Sequence, residues 1–544
     1  MQDAYFTKQY NIAQNTKDTL SIKTAVSVFA TVLMTILTLL GLPTAALSIC
    51  SIILSVIMYG VCFHEFNDGI ISVFKLKPSN DSFNAIALIF SVIEAFSLIF
   101  IKDVNSNFFS PVIFLSITIS MIMKLVYIQE IINNLNLIKN NKTYIVDVSE
   151  ISLTKRYIDQ VCMVNPVVNF PDVIDTTYAD DPSELKSKYF IPVVCIVVII
   201  IALIALILKG TNVFFTSLCS LFAICASFTG EMTFVLPYMT TQKKLRKLGS
   251  VLLGYHSVNS LKNISTLIVQ DSDLFPKELT QIIKLRFKKK EYVAKSIEYT
   301  AALLIETNSP LKDTFLEILD CSTDKLPAVD KWRSLKNYGI AAIMNGDTVL
   351  LGNRSLLLSY DIPPLSQEQE ATLLTMNRNI LYCSINGEIG AIILVQYVDD
   401  PIMKKAAEHV GGDFTIIVET NDCNITENMV QKRYDLSSTK IIVPDNDETI
   451  LLEAMRKRLK SEVKLPVMIS TKNAIGILES VKQAKSLSDV IDVSILTKQA
   501  SIILGIILTT VALFTVPGLV SAFWIFLFNL LWSIPIIFLS IFKK

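Results

Sequence analysis

The sequence predicts a bundle of about eight membrane-spanning α-helices joined to a cytoplasmic α/β domain, with a smaller α+β module inserted into that domain. The 544 residues are 51% hydrophobic and 18% charged. This composition is too apolar for a soluble protein of this size and too charged for a chain that lies wholly in the membrane. Long apolar runs occupy both ends of the chain, and the polar residues 239–499 alternate strand-like runs with helical ones. Membrane and polar domains are therefore both expected.

Eight apolar runs are long enough to cross a bilayer, which takes about 20 residues of α-helix. The first two are separated by Gly41-Leu42-Pro43 and the last two by Pro517-Gly518, so a tight turn is predicted within each pair. No internal repeat is visible, which disfavours an inverted-repeat carrier. The predicted spans are about 24–41, 43–62, 84–101, 109–128, 189–208, 212–238, 500–517 and 521–541.

Lysine and arginine residues predict the orientation of the bundle. They fall almost wholly in alternate connecting segments, and the other loops hold only Lys102 and Lys209. Cytoplasmic loops carry the positive excess, so both termini and the large polar segment are predicted to be cytoplasmic, in a multi-pass protein of the cell (plasma) membrane. The polar first twenty residues do not predict a cleaved signal peptide. The positively charged segments are 1–23, 63–83, 124–188, 239–499 and Lys543-Lys544.

Short β-branched runs with amphipathic stretches between them predict parallel β-α-β units in the polar segment. Residues 290–395 differ, because two helix-like runs are followed by β-like runs that alternate around Asn-Gly turns, as antiparallel hairpins do. This region is predicted to be the inserted α+β module. The predicted strands of the parallel sheet are 267–269, 391–398, 414–419, 440–444 and 464–470.

Charge and cysteine content exclude several classes of protein. Lys plus Arg and Asp plus Glu number 49 each, so nothing favours a nucleic-acid partner. The nine cysteines include no Cys-x-x-Cys pair. Neither a disulfide framework nor a zinc site is therefore predicted, which fits a reducing cytosol.

The order of spans and polar segments, together with four local segments, resembles P-type ATPases, in the layout of their heavy-metal-transporting branch. Residues 346–357, with Gly352 and Asn353, are similar to a nucleotide-domain segment of that family, and residues 385–402 are similar to its return into the phosphorylation domain. Residues 183–194 resemble the entry to the span after the actuator domain. Residues 418–436 resemble the family's Thr-Gly-Asp segment, with Thr420 and Asp422 retained.

The resemblance implies a haloacid-dehalogenase-like α/β domain with a nucleotide-domain-like insert. The division that it implies is a cytoplasmic segment 1–23, four transmembrane helices in 24–128, a short actuator remnant 129–188, two transmembrane helices in 189–238, a phosphorylation-like domain 239–289 and 396–499, the insert 290–395, and two transmembrane helices in 500–544.

The same resemblance implies that the catalytic parts are degenerate. Gln270 stands at the position of the nucleophilic aspartate, and a neutral amide cannot form an acyl phosphate. The family's lysine position falls on Asp447, which reverses the charge that should meet phosphate. Ser470 and Thr471 stand where magnesium-binding carboxylates would follow a strand.

The nucleotide and actuator motifs are altered as well. The His-Pro pair of the family is Ser309-Pro310 here, and its Gly-x-Gly is Asn337-Tyr338-Gly339. The Thr-Gly-Glu loop of an actuator domain requires a glycine, but the sequence has none between Gly69 and Gly210.

Five further positions have alternative interpretations. Asp271 could open the Asp-x-Asp of a phosphatase, or cap the strand as an acidic loop. Glu231, in a predicted span, could bind a hard cation or a proton, or be a relict paired with a polar neighbour. Glu94 favours a structural role because nothing near it in sequence is ionisable, and Cys219 and Cys225 favour packing.

Three functional hypotheses follow. The favoured one is a catalytically inactive pseudo-ATPase with a binding, regulatory or scaffolding role. It predicts the lipid bilayer and an unknown protein as partners, with no nucleic acid and no assigned cofactor. The second is an ATP-driven cation transporter with divergent motifs, which would use ATP and Mg²⁺. The third is a haloacid-dehalogenase-type phosphatase using Asp271.

Overall fold

The structure is a computed structural model, and it describes most of the chain. The described residues are 2–100, 108–140, 144–154, 157–166, 178, 181–264, 266–276, 279–307, 309–319, 326–374, 378–410, 414–436, 439–445, 448–452, 454, 467–471 and 474–542.

The first part of the chain is mainly helical, with one β-hairpin. Its elements are α1 (Gln2–Leu39), α2 (Thr44–Val61), α3 (Phe63–Phe74), α4 (Asp81–Phe100), α5 (Ser110–Asn140), β1 (Tyr144–Thr154), β2 (Tyr157–Pro166), α6 (Pro182–Lys186), α7 (Phe190–Lys209), α8 (Thr211–Cys225) and α9 (Met232–Lys247).

The second part alternates strands and helices and ends in two long helices. Its elements are β3 (Ser250–Leu252), α10 (Gly254–Leu261), β4 (Thr266–Gln270), α11 (Asp271–Leu274), β5 (Thr280–Phe287), α12 (Val293–Glu306), α13 (Lys312–Ile318), β6 (Lys331–Leu335), β7 (Gly339–Met344), β8 (Asp347–Gly352), α14 (Arg354–Ser359), α15 (Gln367–Leu373), β9 (Arg378–Ile385), β10 (Glu388–Tyr397), α16 (Pro401–Val410), β11 (Thr415–Glu419), α17 (Glu427–Arg433), β12 (Lys440–Ile442), β13 (Met468–Ser470), α18 (Ala474–Thr515) and α19 (Ala522–Phe542).

The apolar helices form one bundle, as the sequence predicts. Among the described residues, seven helices are long and apolar enough to cross a membrane, and the eighth, α8, is apolar but shorter. The chain is therefore a multi-pass membrane protein. The predicted span 212–238 is not one helix, because the chain leaves the helical path at residues 226–231 between α8 and α9. α18 begins well before the predicted start at residue 500 and continues out of the apolar region toward β13.

The larger sheet has seven strands in the order β12-β11-β4-β2-β1-β13-β3. β12, β11, β4 and β2 are parallel neighbours, as the sequence predicts for three of them. β1, β13 and β3 join by antiparallel pairing, so the prediction that 464–470 forms a strand of the parallel sheet is wrong. The hairpin β1–β2 comes from residues predicted as an actuator remnant, and it lies between β4 and β13.

The insert contains a separate six-stranded sheet in the order β5-β10-β9-β8-β7-β6. All its neighbours are antiparallel. The predicted hairpin turns are confirmed at Asn345-Gly346 and Asn386-Gly387, where all four residues have positive φ. Residues 391–398, predicted as a strand of the parallel sheet, instead lie mostly in β10 of this sheet. Because β5 pairs with β10, the insert's sheet starts at Thr280, before the predicted boundary at 290.

Candidate functional site

Gln270 ends β4, in the centre of the larger sheet. Leu267, Ile268 and Val269 are buried, so the strand is held by the core up to its last residue. Gln270 pairs with Glu419, the last residue of β11. The structure thus places Gln270 where the sequence predicts it, at the carboxyl end of a central parallel strand, which is where α/β sheets usually bind ligands.

Asp271 follows Gln270 and opens α11. Its side chain is 6% exposed, and its Oδ1 accepts a hydrogen bond of 2.7 Å from the backbone N–H of Ser272. A carboxylate engaged by its own backbone matches the interpretation of Asp271 as an acidic residue that caps the strand end.

Thr420 and Asp422, the retained residues after β11, hold their own loop in place. The backbone N–H of Asp422 donates to Thr420 Oγ1 at 3.0 Å, and the N–H of Asn424 donates to Asp422 Oδ1 at 3.0 Å. The hydroxyl of Tyr397 donates to Asp422 Oδ2. Burial raises the pKa of Asp422, although these donors act in the opposite direction. Both oxygens of this carboxyl group are therefore occupied by protein donors.

The described residues at the end of β13 include no carboxylate that could hold magnesium. Ser470 Oγ accepts a hydrogen bond of 3.0 Å from Ser250, and the backbone N–H of Thr471 donates to Gly249 at 2.9 Å. Thr471 also packs so closely on Gly249 that a Cβ there would overlap it. These hydroxyls do not fit a magnesium site, which requires carboxylate oxygens. Asp447 lies outside the described residues.

The hairpin β1–β2 separates the two strand ends that a phosphorylation site would bring together. Tyr144, Ile145 and Val146 of β1 pair with β13, while Val161 and Cys162 of β2 pair with β4. β4 and β13 are therefore three strand spacings apart, roughly 14 Å at about 4.8 Å per spacing.

The predicted nucleotide-site residues of the insert have structural partners. Gly339 and Gly352 pair directly across β7 and β8, and a Cβ at either position would overlap backbone atoms of the other strand. Asn353 caps α14 by accepting from the N–H groups of Ser355 and Leu356. Ser309 is 2% exposed and accepts a hydrogen bond of 3.3 Å from the N–H of Leu311. These contacts give each of the four residues a structural role in the insert.

A cleft of about 440 Å³ lies between the insert and the larger sheet. Lys336 and Asn337 line it from the insert, and Thr420, Asn421 and Asp422 line it from the loop after β11. The cleft thus brings together two regions that the sequence singles out separately. Its polar walls could accommodate a small ligand.

A second site, a buried network of charged and polar side chains, lies at the end of the bundle nearest the larger sheet. Asn80 is at its centre. Its side-chain amide donates to Asp181 at 3.1 Å and to Glu231 at 3.4 Å, and its Oδ1 accepts 2.9 Å hydrogen bonds from Lys498 and Ser183. We call Asn80, Asp81, Lys124, Asp181, Ser183, Glu184, Glu231 and Lys498 the polar network.

The polar network holds more carboxyl groups than lysines. Lys124 pairs with Asp81 and lies 4.0 Å from Glu231, and Lys498 is 5% exposed. Burial, followed by the charge of Glu184, raises the pKa of Asp181 to about 7. Burial also raises the pKa of Glu184 to about 7. The network joins five separate parts of the chain through these contacts.

Glu231 is the one residue of this network that the sequence analysis selects. It is 8% exposed and precedes α9 at the break in the helical path. It contacts Asn80 and Lys124, and both interpretations of Glu231 stay predictions. Lys124 and Lys498 were missed, although each is a lysine within an apolar helix, a pattern that often marks function. Among the described residues, no group of three or more His, Cys, Asp or Glu side chains could hold a metal ion.

The protein is similar in structure to solved membrane ATPases, although its sequence matches no family model. No family model matches the chain. One crystal structure of a zinc-transporting PIB-type ATPase is similar over 96% of this chain and 98% of its own, at 10% identity and a TM-score of 0.48. A second crystal structure of a zinc-transporting PIB-type ATPase gives 95% and 99%, at 10% identity and a TM-score of 0.45.

A third similarity covers a smaller share of the chain. The catalytic domain of the CPx-ATPase CopB-B matches 40% of this chain and 77% of its own, at 13% identity and a TM-score of 0.25. The fold is established by its own elements: apolar helices, an α/β sheet and an inserted antiparallel sheet.

Proposed function

We propose that this protein is a pseudo-ATPase, a membrane protein of P-type ATPase-like layout that forms no phosphoenzyme and acts through binding, regulation or scaffolding. The observation that carries the proposal is the hairpin β1–β2 between β4 and β13, with Gln270 at the end of β4. A protein partner and the bilayer are its proposed partners, and ATP and Mg²⁺ are not proposed as cofactors.

The separation of the two strands opposes phosphoryl transfer. A magnesium ion binds oxygen ligands at about 2.0–2.1 Å, so one ion cannot contact groups at both strand ends across roughly 14 Å. The amide of Gln270 is also a poor substitute for a carboxylate nucleophile, because it carries no charge and its nitrogen is not basic. The separation of β4 from β13 and the chemistry of the Gln270 side chain therefore both oppose phosphoryl transfer.

The direct test is labelling of the purified full-length protein with ATP that carries radioactive γ-phosphate. We expect no acid-stable phosphoprotein from the wild type or from Gln270→Asp. The Gln270→Asp variant gains a nucleophile but still lacks the metal carboxylates. Loss of one electrostatic element of a catalytic site costs roughly 100- to 1000-fold in rate, so the loss of several should leave no signal.

Asp271→Asn is the matched control in this experiment. If the wild type is labelled and Asp271→Asn is not, Asp271 is the nucleophile and the proposal is wrong. If both are labelled equally, phosphate resides elsewhere on the chain, and protease mapping of the label would locate it.

A second candidate function, ATP-driven cation transport, is favoured by the polar network. Glu231 lies at the break between α8 and α9, and buried carboxyl groups beside an interrupted membrane helix are a common feature of ion pathways. This candidate requires turnover, so ATP hydrolysis by the wild type in lipid vesicles that is abolished by Glu231→Gln would support it over the pseudo-ATPase.

The proposed location is the cell membrane, with both termini on the cytoplasmic side. It is supported by the distribution of lysine and arginine, which favours the cytoplasmic side for residues 239–499 and for Lys543-Lys544.

A further inference from the structure

Glu94 lies in the interior of the helix bundle, far from the polar network. It is 2% exposed and follows Asp81, the first residue of α4, by 13 residues, which corresponds to roughly 20 Å along a helix. Neither of its carboxyl oxygens has a hydrogen-bond partner of good geometry among the described residues. The lysines of the polar network are therefore too distant to neutralise it.

Cys219 is the titratable neighbour of Glu94. The groups that act on the Glu94 carboxyl are the Cys219 thiol and the backbone N–H of Phe109, and Cys219 itself is fully buried. α4 packs against α2, α3, α5 and α8. Among the described side chains, the other titratable groups on these helices do not interact electrostatically with Glu94. They are Cys50, Tyr59, His64, Glu65, Asp68, Lys124, Tyr127, Glu130 and Cys225.

A pair of stacked aromatic side chains closes one end of this carboxyl–thiol pair. Phe90, one turn before Glu94, stacks on Phe222, one turn after Cys219, with ring centroids 4.9 Å apart and planes 5° apart. Because Phe90 precedes Glu94 and Phe222 follows Cys219, α4 and α8 are antiparallel at this contact. The stacked rings lie between Glu94 and Asp81, on the side of the pair that faces the polar network. Phe109, whose backbone N–H acts on the Glu94 carboxyl, is also fully buried. The pair is therefore enclosed between α4, α8 and the start of α5.

An ionised carboxylate in such an environment is costly, because solvent scarcely reaches it and no cationic side chain or strong donor among the described residues faces it. A protonated carboxyl is neutral and can share its hydrogen with the thiol. We propose that Glu94 and Cys219 form an enclosed proton-binding site in the membrane, in which Glu94 holds the proton in this conformation.

Infrared spectroscopy of the full-length protein in lipid nanodiscs tests this proposal at pH 7. We expect the wild type to show the C=O stretching band of a protonated carboxylic acid, and Glu94→Gln to lose the intensity of one carboxyl group. Transfer into D₂O should shift this band more slowly than the bands of exposed groups, because the site is enclosed. Cys219→Ala should keep the band and move its frequency, since the thiol no longer interacts with it.

Glu65→Gln is the matched control, because Glu65 is a partly buried carboxylate that is paired with Lys23 at 2.5 Å. It should leave the protonated-acid band unchanged. Three results would overturn the proposal. They are a wild-type spectrum from which Glu94→Gln removes no such band, a band that shifts immediately in D₂O, and loss of the band on addition of stoichiometric Zn²⁺, which would make the pair a metal site.

Discussion

Lys498 is the residue on which the polar network most depends. It donates 2.9 Å hydrogen bonds to Asn80 and Ser183, and its charge acts on Asp181 and Glu231. We expect Lys498→Met to reduce the free energy of unfolding by about 3–5 kcal/mol, because it leaves buried carboxyl groups without a compensating charge. A thermal unfolding midpoint measured in detergent should fall accordingly.

Lys186 provides the control for this prediction. It pairs with Asp492 of the same helix as Lys498, α18, but both side chains of this pair are more than a third exposed. Because exposed ion pairs contribute only about 0–1 kcal/mol, Lys186→Met should leave the midpoint nearly unchanged. Equal effects of the two substitutions would mean that burial of Lys498 has no energetic consequence.

At the scale of elements, the hairpin β1–β2 distinguishes this sheet from an uninterrupted parallel one. Ile145 of β1 pairs directly with Ile469 of β13. We therefore expect the double variant Ile145→Cys, Ile469→Cys to form a disulfide on mild oxidation, since paired strand residues lie within disulfide range. Mass spectrometry of the linked peptides distinguishes this bond from any made by native cysteines.

The double variant Val269→Cys, Ile469→Cys tests the competing arrangement. If β4 and β13 were neighbours, this pair would also form a bond. With two strands between them it should form none, because the Cα atoms are beyond the limit of about 7 Å. A disulfide in this second variant and none in the first would show that the hairpin β1–β2 does not lie between β4 and β13.

The sequence predicts elements well where the signal is local. The Asn-Gly turns at Asn345-Gly346 and Asn386-Gly387 require positive φ, and the apolar runs identify the spans. Gln270 is found at the end of β4, as predicted, because a short β-branched run followed by acid is also a local pattern. The break at residues 226–231 was missed, since nothing there is a strong helix breaker in sequence except Gly230.

Long-range pairing could not be predicted in this way. β1 and β13 are separated by more than 300 residues, and no local property of Tyr144–Thr154 specifies its partner. The polar network is equally non-local, because Asn80, Asp181, Glu231 and Lys498 come from four distant parts of the chain. Each alone has an ordinary alternative explanation, and only the fold brings them together.

At the scale of the whole molecule, α18 links the polar domain to the bundle. It runs without interruption for 42 residues, roughly 63 Å of helix, from Ala474 through Lys498 into the apolar region. In its apolar part, Gly505 lies so close to Ile224 and Phe528 that a Cβ would overlap them. A displacement of the larger sheet would therefore be transmitted directly to α8 and α19.

This continuous helix also makes the orientation of the chain testable. If α18 crosses the membrane once, Asp330 in the insert and Gly518 between α18 and α19 must lie on opposite sides. The lysine and arginine distribution favours the cytoplasm for Asp330. In intact cells, a membrane-impermeant thiol reagent should label Gly518→Cys and Ser106→Cys, which lies between α4 and α5 in sequence. It should label Asp330→Cys only after the cells are opened. Labelling of Asp330→Cys in intact cells would invert the orientation and place the larger sheet outside the cell, where a partner or ligand from the cytosol could not reach it.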